Sequence, residues 1–176
     1  DGLITLRDLK NYEVKEREAL VGTYRGYEIV SMPPPSSGGT HLIQMLNVLE
    51  KYELGAMHHN SANYLHILTE TMKYAYADRS KYLGDPDFTD IPLEKLLSKS
   101  YADRIRTHIN MNHARPSTEI GPGQNLPAES PDTTHYSIAD SKGNVVSNTY
   151  TLNFSYGSGF VIAGTGILLN NEMDDF

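Results

Sequence analysis

Apolar side chains recur at helical spacing through most of residues 1–109, which predicts a mainly helical segment. One amphipathic helix is predicted from about Gly38 to a stop at Gly55, and a longer one from an N-cap at Ser61 to about Tyr82. Shorter helices are predicted to begin near Thr5, Pro92, and Ser98 or Ser100. A single strand, 24–32, is predicted in this half, and three prolines end it.

The pattern changes twice after residue 109. Residues 110–132 contain four prolines and few large apolar side chains, which predicts a flexible linker. Alternating residues then predict a hairpin of strands 133–139 and 145–154, with Gly143 in its turn and an apolar face that includes Val146, Tyr150 and Phe154. The chain is therefore predicted to be α+β, with a helical segment (1–109), a linker (110–132) and a β-rich segment (133–176).

Composition excludes several functions. The formal charge of −7 argues against binding to nucleic acid or to an anionic membrane surface. The chain has no cysteine, so disulfides, thiolate metal sites and cysteine nucleophiles are ruled out. No apolar run approaches the roughly 18 residues of a membrane span. Histidine and aspartate spacings match no metal site, so we expect neither a metal nor another cofactor.

Thr133 stands at the junction between the linker and the first strand of the hairpin. A threonine here could simply open a strand, because Thr is common in strands. A threonine freed as a chain N-terminus has a second use, since its α-amine, with a pKa of roughly 8, can act as the base for its own hydroxyl. The residues alone leave both interpretations open.

Polar residues farther along are candidates for binding a substrate. Thr151 and Asn153 lie two apart on the predicted second strand, so they are predicted to share a face. Alternating polar residues also occur on solvated faces. Glu172 and Asp175 near the end of the sequence are either solvated charges or a pair of carboxylates that could grip an ammonium group.

Several motifs occur together and carry a resemblance. The segment TTHYS begins at Thr133 and is followed by DSKGN, TYTLN and GTGILLNNEMDDF. Upstream lie YRGYEIVSMPPPSSGGTHLIQMLNVLE and YAYADRSKYLGDPDF. Together these segments resemble the γ-glutamyltranspeptidases (γ-glutamyltransferases), which are N-terminal-nucleophile hydrolases. The resemblance covers essentially the whole chain, spanning the end of the large subunit and the start of the small subunit.

The resemblance implies part of an αββα sandwich and an enzyme that cleaves itself between Asp132 and Thr133. Such an enzyme is a zymogen that becomes an acyltransferase and hydrolase of glutathione metabolism. Thr133 would then take the γ-glutamyl group from glutathione or another γ-glutamyl compound and pass it to water, an amino acid or a peptide. By the same resemblance, Thr151 hydrogen-bonds the nucleophile and Asn153 holds the glutamyl end of the substrate. Glu172 and Asp175 bind the α-amino group of that substrate.

The resemblance also implies that this chain is a piece of a longer protein, exported to the periplasm or the cell exterior. The family's oxyanion-hole glycines, its serine pair and its substrate-binding arginine would lie in other large- and small-subunit segments. We therefore expect residues 1–176 alone to be inactive. Two alternatives stay open: a non-catalytic interaction domain that keeps the family fold, and a related γ-polyglutamate transferase or amide hydrolase.

Overall fold

The computed structural model describes residues 4–120 and 133–172, and for Thr133 it describes the backbone alone. The chain divides into two compact units, residues 1–124 and residues 125–176. The N-terminal unit contains a β-hairpin and helices, in the order α1 (Leu6–Asn11), β1 (Leu20–Tyr24), β2 (Tyr27–Ser31), α2 (Gly38–Leu49), α3 (Ala62–Tyr82), α4 (Leu93–Leu96) and α5 (Lys99–His108). Short 3-10 helices lie at Leu54–Met57 and Ser117–Glu119.

Side-chain caps confirm three of the predicted helix starts, at Thr5, Ser61 and Ser98. Thr5 and Asp8 form a capping box at α1. The hydroxyl of Ser61 accepts a hydrogen bond from the Tyr64 N–H at 3.2 Å, and that of Ser98 accepts one from the Tyr101 N–H at 3.1 Å. Helix α2 ends at Leu49 instead of at the predicted Gly55, which lies in a 3-10 helix.

The first hairpin corrects the prediction of a single strand at 24–32. Strand β1 pairs with β2 in antiparallel register, from Leu20 opposite Ser31 to Tyr24 opposite Tyr27. The connecting residues Arg25 and Gly26 both have positive φ, at 48° and 86°, as a two-residue type I′ turn requires. Arginine is rare at the first of these positions, so the sequence lacked the usual Asn-Gly or Asp-Gly signal for this turn.

The helices of the N-terminal unit enclose polar as well as apolar side chains. Val48, Ala102 and Ile105 form an apolar cluster between α2 and α5. Beside it, the buried carboxylate of Asp78 accepts hydrogen bonds from the Tyr101 hydroxyl, at 2.8 Å, and from the Gln44 side-chain amide. Burial raises the pKa of the Asp78 carboxyl above its ordinary value, and it raises the pKa of the Tyr101 hydroxyl as well.

A buried ion pair fastens the segment after α5 to α3. Glu70 is 1% exposed, and its Oε1 lies 2.6 Å from the Lys73 ammonium nitrogen. Lys73 also donates to the Arg115 carbonyl at 2.8 Å, and the Arg115 N–H donates to Glu70 at 3.3 Å. The carboxylate and the ammonium therefore hold both backbone polar groups of Arg115.

Replacing Glu70 by Ala should destabilise the N-terminal unit strongly. The substitution removes the carboxylate partner of a largely buried ammonium and the acceptor of the Arg115 N–H, so we expect the free energy of unfolding to fall by roughly 3 kcal/mol. Urea denaturation of the two proteins measures the difference. Glu70→Gln keeps an oxygen acceptor and should lose less. A change within about 0.5 kcal/mol for Glu70→Ala, typical of surface substitutions, would contradict this reading.

The C-terminal unit is built on an antiparallel hairpin of β3 (Thr133–Ala139) and β4 (Val145–Thr151). The predicted turn is confirmed. Gly143 has a φ of 83°, and the Asp140 carboxylate accepts hydrogen bonds from the N–H groups of Lys142 and Asn144 at 2.8 and 2.9 Å.

The predicted apolar face of this hairpin is not buried in the part of the chain that the structure describes. Val146, Tyr150 and Phe154 are 55%, 64% and 44% exposed. The alternation that predicted one apolar face is present, but burial needs an element packed on that face, and within the described ranges these side chains are not covered.

Candidate active site

The backbone register of the C-terminal hairpin pairs two of the candidate residues. Thr133, the first residue of β3, lies directly opposite Thr151, the last residue of β4. Directly opposed residues of an antiparallel pair lie on the same face of the sheet, with Cβ positions about 5 Å apart. The hairpin therefore brings together two threonines that stand at the opposite ends of its two strands in the sequence.

The same face carries a short polar network next to these threonines. His135 lies opposite Thr149, and its Nδ1 is 2.8 Å from the Thr149 Oγ1. The Ser147 Oγ lies 3.1 Å from the other ring nitrogen, Nε2. Both ring nitrogens of His135 are thus engaged by hydroxyls of β4, so this side chain helps to hold the two strands together.

Asn153 lies beyond the end of β4, which corrects its predicted place on that strand. β4 ends at Thr151, three residues before the predicted end, and Asn153 has a left-handed φ of 73°. Its backbone N–H donates a 3.0 Å hydrogen bond to the Thr151 Oγ1. A tight turn, and not strand alternation, therefore places Asn153 beside Thr151. Asn153 is only 8% exposed.

The segment that carries the predicted acidic residues returns to this turn. The Asn171 N–H donates to the Leu152 carbonyl at 3.2 Å, and the Asn153 Nδ2 donates to the Asn171 carbonyl at 3.2 Å. Glu172 follows directly and is partly buried, and its N–H donates to the Asn170 Oδ1 at 3.0 Å. Glu172 therefore directly follows Asn171, the residue whose carbonyl accepts from the Asn153 side chain.

Two predicted site residues, Asp132 and Asp175, lie outside the described residues. The role of Asn171 was missed, because the interpretation of NNEMDDF rested on its carboxylates alone. The pair of side-chain amides, Asn170 and Asn171, that follows the apolar run 167–169 was the available signal, since Asn can bond to nearby backbone groups.

A small hairpin between Ser158 and Leu169 returns the chain to the turn. The Ser158 N–H donates to the Leu169 carbonyl at 3.0 Å, and the Leu169 N–H donates to the Phe160 carbonyl at 2.9 Å. Gly157 closes its base with a φ of 52°, and a Cβ at this position would lie 2.2 Å from the Leu169 carbonyl oxygen. Only glycine fits both the conformation and the space.

Replacing Gly157 by Ala should displace the segment that precedes Asn171. The new Cβ would clash with backbone, so we expect the C-terminal unit to lose roughly 1–3 kcal/mol of stability. Gly159→Ala is the matched control, because Gly159 also has a positive φ, 68°, but has open space around its Cβ position. Urea denaturation of both variants separates the clash from the conformational strain. Equal losses would contradict the packing argument.

The described residues offer no evident metal site or membrane span. Within residues 4–120 and 133–172, no three His, Cys, Asp or Glu side chains gather where they could share a metal ion. None of the helices described for this chain combines the length and the apolarity that crossing a bilayer requires.

Comparison with known proteins identifies the family. The model of the family described as gamma-glutamyltranspeptidase matches residues 1–176, the whole chain. The chain belongs to the γ-glutamyltranspeptidase family. It is 53% identical over 175 residues to the glutathione hydrolase proenzyme of Escherichia coli strain K12, a match that covers 99% of this chain and 30% of that protein. This γ-glutamyltranspeptidase chain thus spans about 30% of the length of that relative.

Solved structures of related proteins agree with the fold class of this γ-glutamyltranspeptidase chain. The crystal structure of γ-glutamyltranspeptidase from Helicobacter pylori matches with a TM-score of 0.66 and 49% identity, over 74% of this chain and 38% of that one. Cephalosporin acylase from Bacillus halodurans matches with a TM-score of 0.79 and 28% identity, over 99% of this chain and 30% of that one. The α+β class and the N-terminal-nucleophile hydrolase fold predicted from the sequence are confirmed.

Proposed function

We propose that the full-length protein is a γ-glutamyltransferase and glutathione hydrolase in which Thr133 is the nucleophile. Membership of the γ-glutamyltranspeptidase family supports the reaction class. One structural observation carries the assignment of residues: the register that sets Thr133 opposite Thr151, with the Thr151 hydroxyl oxygen already accepting a bond from the Asn153 N–H.

Maturation is the first step of the proposal. The Thr133 hydroxyl oxygen attacks the carbonyl carbon of Asp132, and the peptide C–N bond breaks as an ester forms. The α-amine of Thr133 takes up the proton. Water then hydrolyses the ester, which leaves a carboxylic acid on Asp132 and restores the Thr133 hydroxyl. The product is a chain that begins with a threonine carrying both a nucleophile and a base.

Turnover uses the same hydroxyl and the new amine. The amine accepts the hydroxyl proton while the oxygen attacks the γ-carbonyl of glutathione or another γ-glutamyl compound. The amide C–N bond breaks, the leaving amine takes the proton, and a γ-glutamyl ester stays on Thr133. Water completes hydrolysis, and the amine of an amino acid or peptide completes transfer. Side chains and the α-amine supply this chemistry, so the mechanism needs no cofactor.

The hydrogen-bond directions at Thr151 support its part in this mechanism. The Thr151 oxygen accepts from the Asn153 N–H, and the same hydroxyl belongs to the residue directly opposite Thr133, where it would donate to the nucleophile. A donor at this place would orient the Thr133 hydroxyl and stabilise its oxygen as the proton leaves, and the hydrogen bond from the Asn153 N–H polarises that donor.

Substrate recognition is assigned to three further residues. Asn153 keeps its side-chain oxygen and a second amide hydrogen available for the glutamyl group, since only one Nδ2–H is needed for the bond to Asn171. Glu172 and Asp175 would bind the α-ammonium of the substrate through charge-assisted hydrogen bonds. The remaining large- and small-subunit segments would complete the site, and we propose a periplasmic or extracellular location.

An amide hydrolase with a different acyl preference is a second candidate, favoured by the likeness to cephalosporin acylase. The purified full-length protein separates the possibilities. Intact-mass measurement should find two chains divided between Asp132 and Thr133, and p-nitroaniline should be released from γ-glutamyl-p-nitroanilide. Cleaved protein that prefers a cephalosporin side-chain amide would favour the acylase. A single intact chain without either activity would favour a non-catalytic interaction domain.

A further inference from the structure

We propose that Asn171 is a positioning residue that fixes the side chain of Asn153 for the γ-glutamyl donor. The inference rests on the proposed function, because it names the residue that positions the substrate-binding Asn153 of the same site. It starts from the geometry of the turn after β4, where Asn153 holds a left-handed φ of 73° while being 8% exposed. Left-handed backbone is uncommon outside glycine, so the surroundings of Asn153 hold it in this conformation.

Asn171 supplies much of that restraint through three of its own polar groups. Its backbone N–H donates to the Leu152 carbonyl at 3.2 Å, and its backbone carbonyl accepts from the Asn153 Nδ2 at 3.2 Å. Its side-chain Oδ1 accepts from the Phe154 N–H at 3.1 Å. Asn171 therefore contacts the residue before the left-handed position, the residue at that position and the residue after it.

The chemistry explains why a short side chain with an oxygen acceptor is needed at this position. The Phe154 N–H requires an acceptor at the distance of a two-carbon side chain, and the Asn171 Oδ1 meets that requirement. A leucine of similar size has no acceptor, so the Phe154 N–H would lose its bond and the turn would be free to relax. An aspartate keeps the acceptor. The turn also carries the Asn153 N–H that donates to Thr151, so its position affects both recognition and the nucleophile's neighbour.

The expected kinetic effect is mainly on binding of the donor. If the Asn153 amide moves, the γ-glutamyl donor loses about one hydrogen bond, and its KM should rise about tenfold, while kcat should change less. Asn171→Asp should restore a KM near that of the unchanged protein. Ser158→Ala is the matched control, since it removes a 3.0 Å hydrogen bond to the Leu169 carbonyl in the adjoining hairpin without touching residues 151–154.

The test is a double-mutant cycle in the full-length protein, read as KM and kcat with γ-glutamyl-p-nitroanilide. If Asn171 acts through Asn153, Asn171→Leu should add little to the loss caused by Asn153→Ala alone. Losses that multiply, or an Asn171→Leu variant with unchanged KM, would overturn the inference.

Hydrogen exchange gives a readout that does not depend on turnover. The Phe154 amide should exchange faster in Asn171→Leu and not in Asn171→Asp or Ser158→Ala. An unchanged exchange rate in Asn171→Leu would overturn the proposed contact even in an active enzyme. Faster exchange in a full-length protein that never cleaves any γ-glutamyl donor would instead show that the proposed function, and not the geometry, had failed.

Discussion

Replacing Thr133 by Ala in the full-length protein should abolish both maturation and turnover. The methyl side chain cannot attack the Asp132 carbonyl, so the precursor should stay a single chain. It cannot form a γ-glutamyl ester either, so the rate of p-nitroaniline release should fall by at least roughly 10⁴-fold, as when other enzymes lose their nucleophile. Gel electrophoresis and a γ-glutamyl-p-nitroanilide assay measure the two effects on the same preparation.

Thr133→Ser is the matched control because it keeps the hydroxyl and, once cleaved, the α-amine. It should mature and retain turnover, though more slowly, since serine lacks the methyl group that restricts the side-chain rotamer. A Thr133→Ala protein that still divided into two chains and released p-nitroaniline would contradict the assignment of the nucleophile.

Replacing Thr151 by Val should lower kcat by about 10²-fold while leaving the fold intact. Valine keeps the β-branched shape that suits a strand, but it removes the oxygen that accepts from the Asn153 N–H. It also removes the hydroxyl donor opposite Thr133, and losing one positioned donor from an active site costs about this factor. Steady-state kinetics with a γ-glutamyl donor measure the loss.

Thr151→Ser tests whether the hydroxyl is the cause. The serine hydroxyl can accept from Asn153 and donate towards Thr133, so kcat should stay far closer to that of the unchanged protein. If Thr151→Val and Thr151→Ser lost activity equally, the methyl group and not the hydroxyl would be the important feature, and the proposed hydrogen-bond chain would be wrong.

The sequence predicted those elements whose signals are local. Ser61 and Ser98 cap helices that begin where the amphipathic stripes begin, and Gly143 occupies the positive-φ turn that its position indicated. These residues act on neighbours within a few positions, so the pattern alone is sufficient. The first hairpin was predicted incompletely because Arg25 adopts a positive φ without the usual turn residue.

Features that depend on residues far apart in the sequence were harder to predict. Thr133 and Thr151 are 18 positions apart, and the hairpin register decides that they oppose each other. Asn153 was placed on a strand because strict alternation was assumed, whereas a left-handed residue ends the pairing and turns its amide towards Asn171. Neither this turn nor the contact that Asn171 makes with it produces a periodic pattern of apolar and polar residues in the sequence. The acidic residues were selected through family resemblance, and the structure describes the surroundings of Glu172 alone.

The most direct test of the account is to locate the covalent intermediate. The full-length protein is mixed with a γ-glutamyl donor, quenched in acid within the first turnovers, digested and mapped by mass spectrometry. The account predicts one γ-glutamyl group on the peptide whose first residue is Thr133, attached through the hydroxyl as an ester that mild base removes. An acyl group on any other residue, or steady turnover by a protein whose Thr133 is still joined to Asp132, would contradict it.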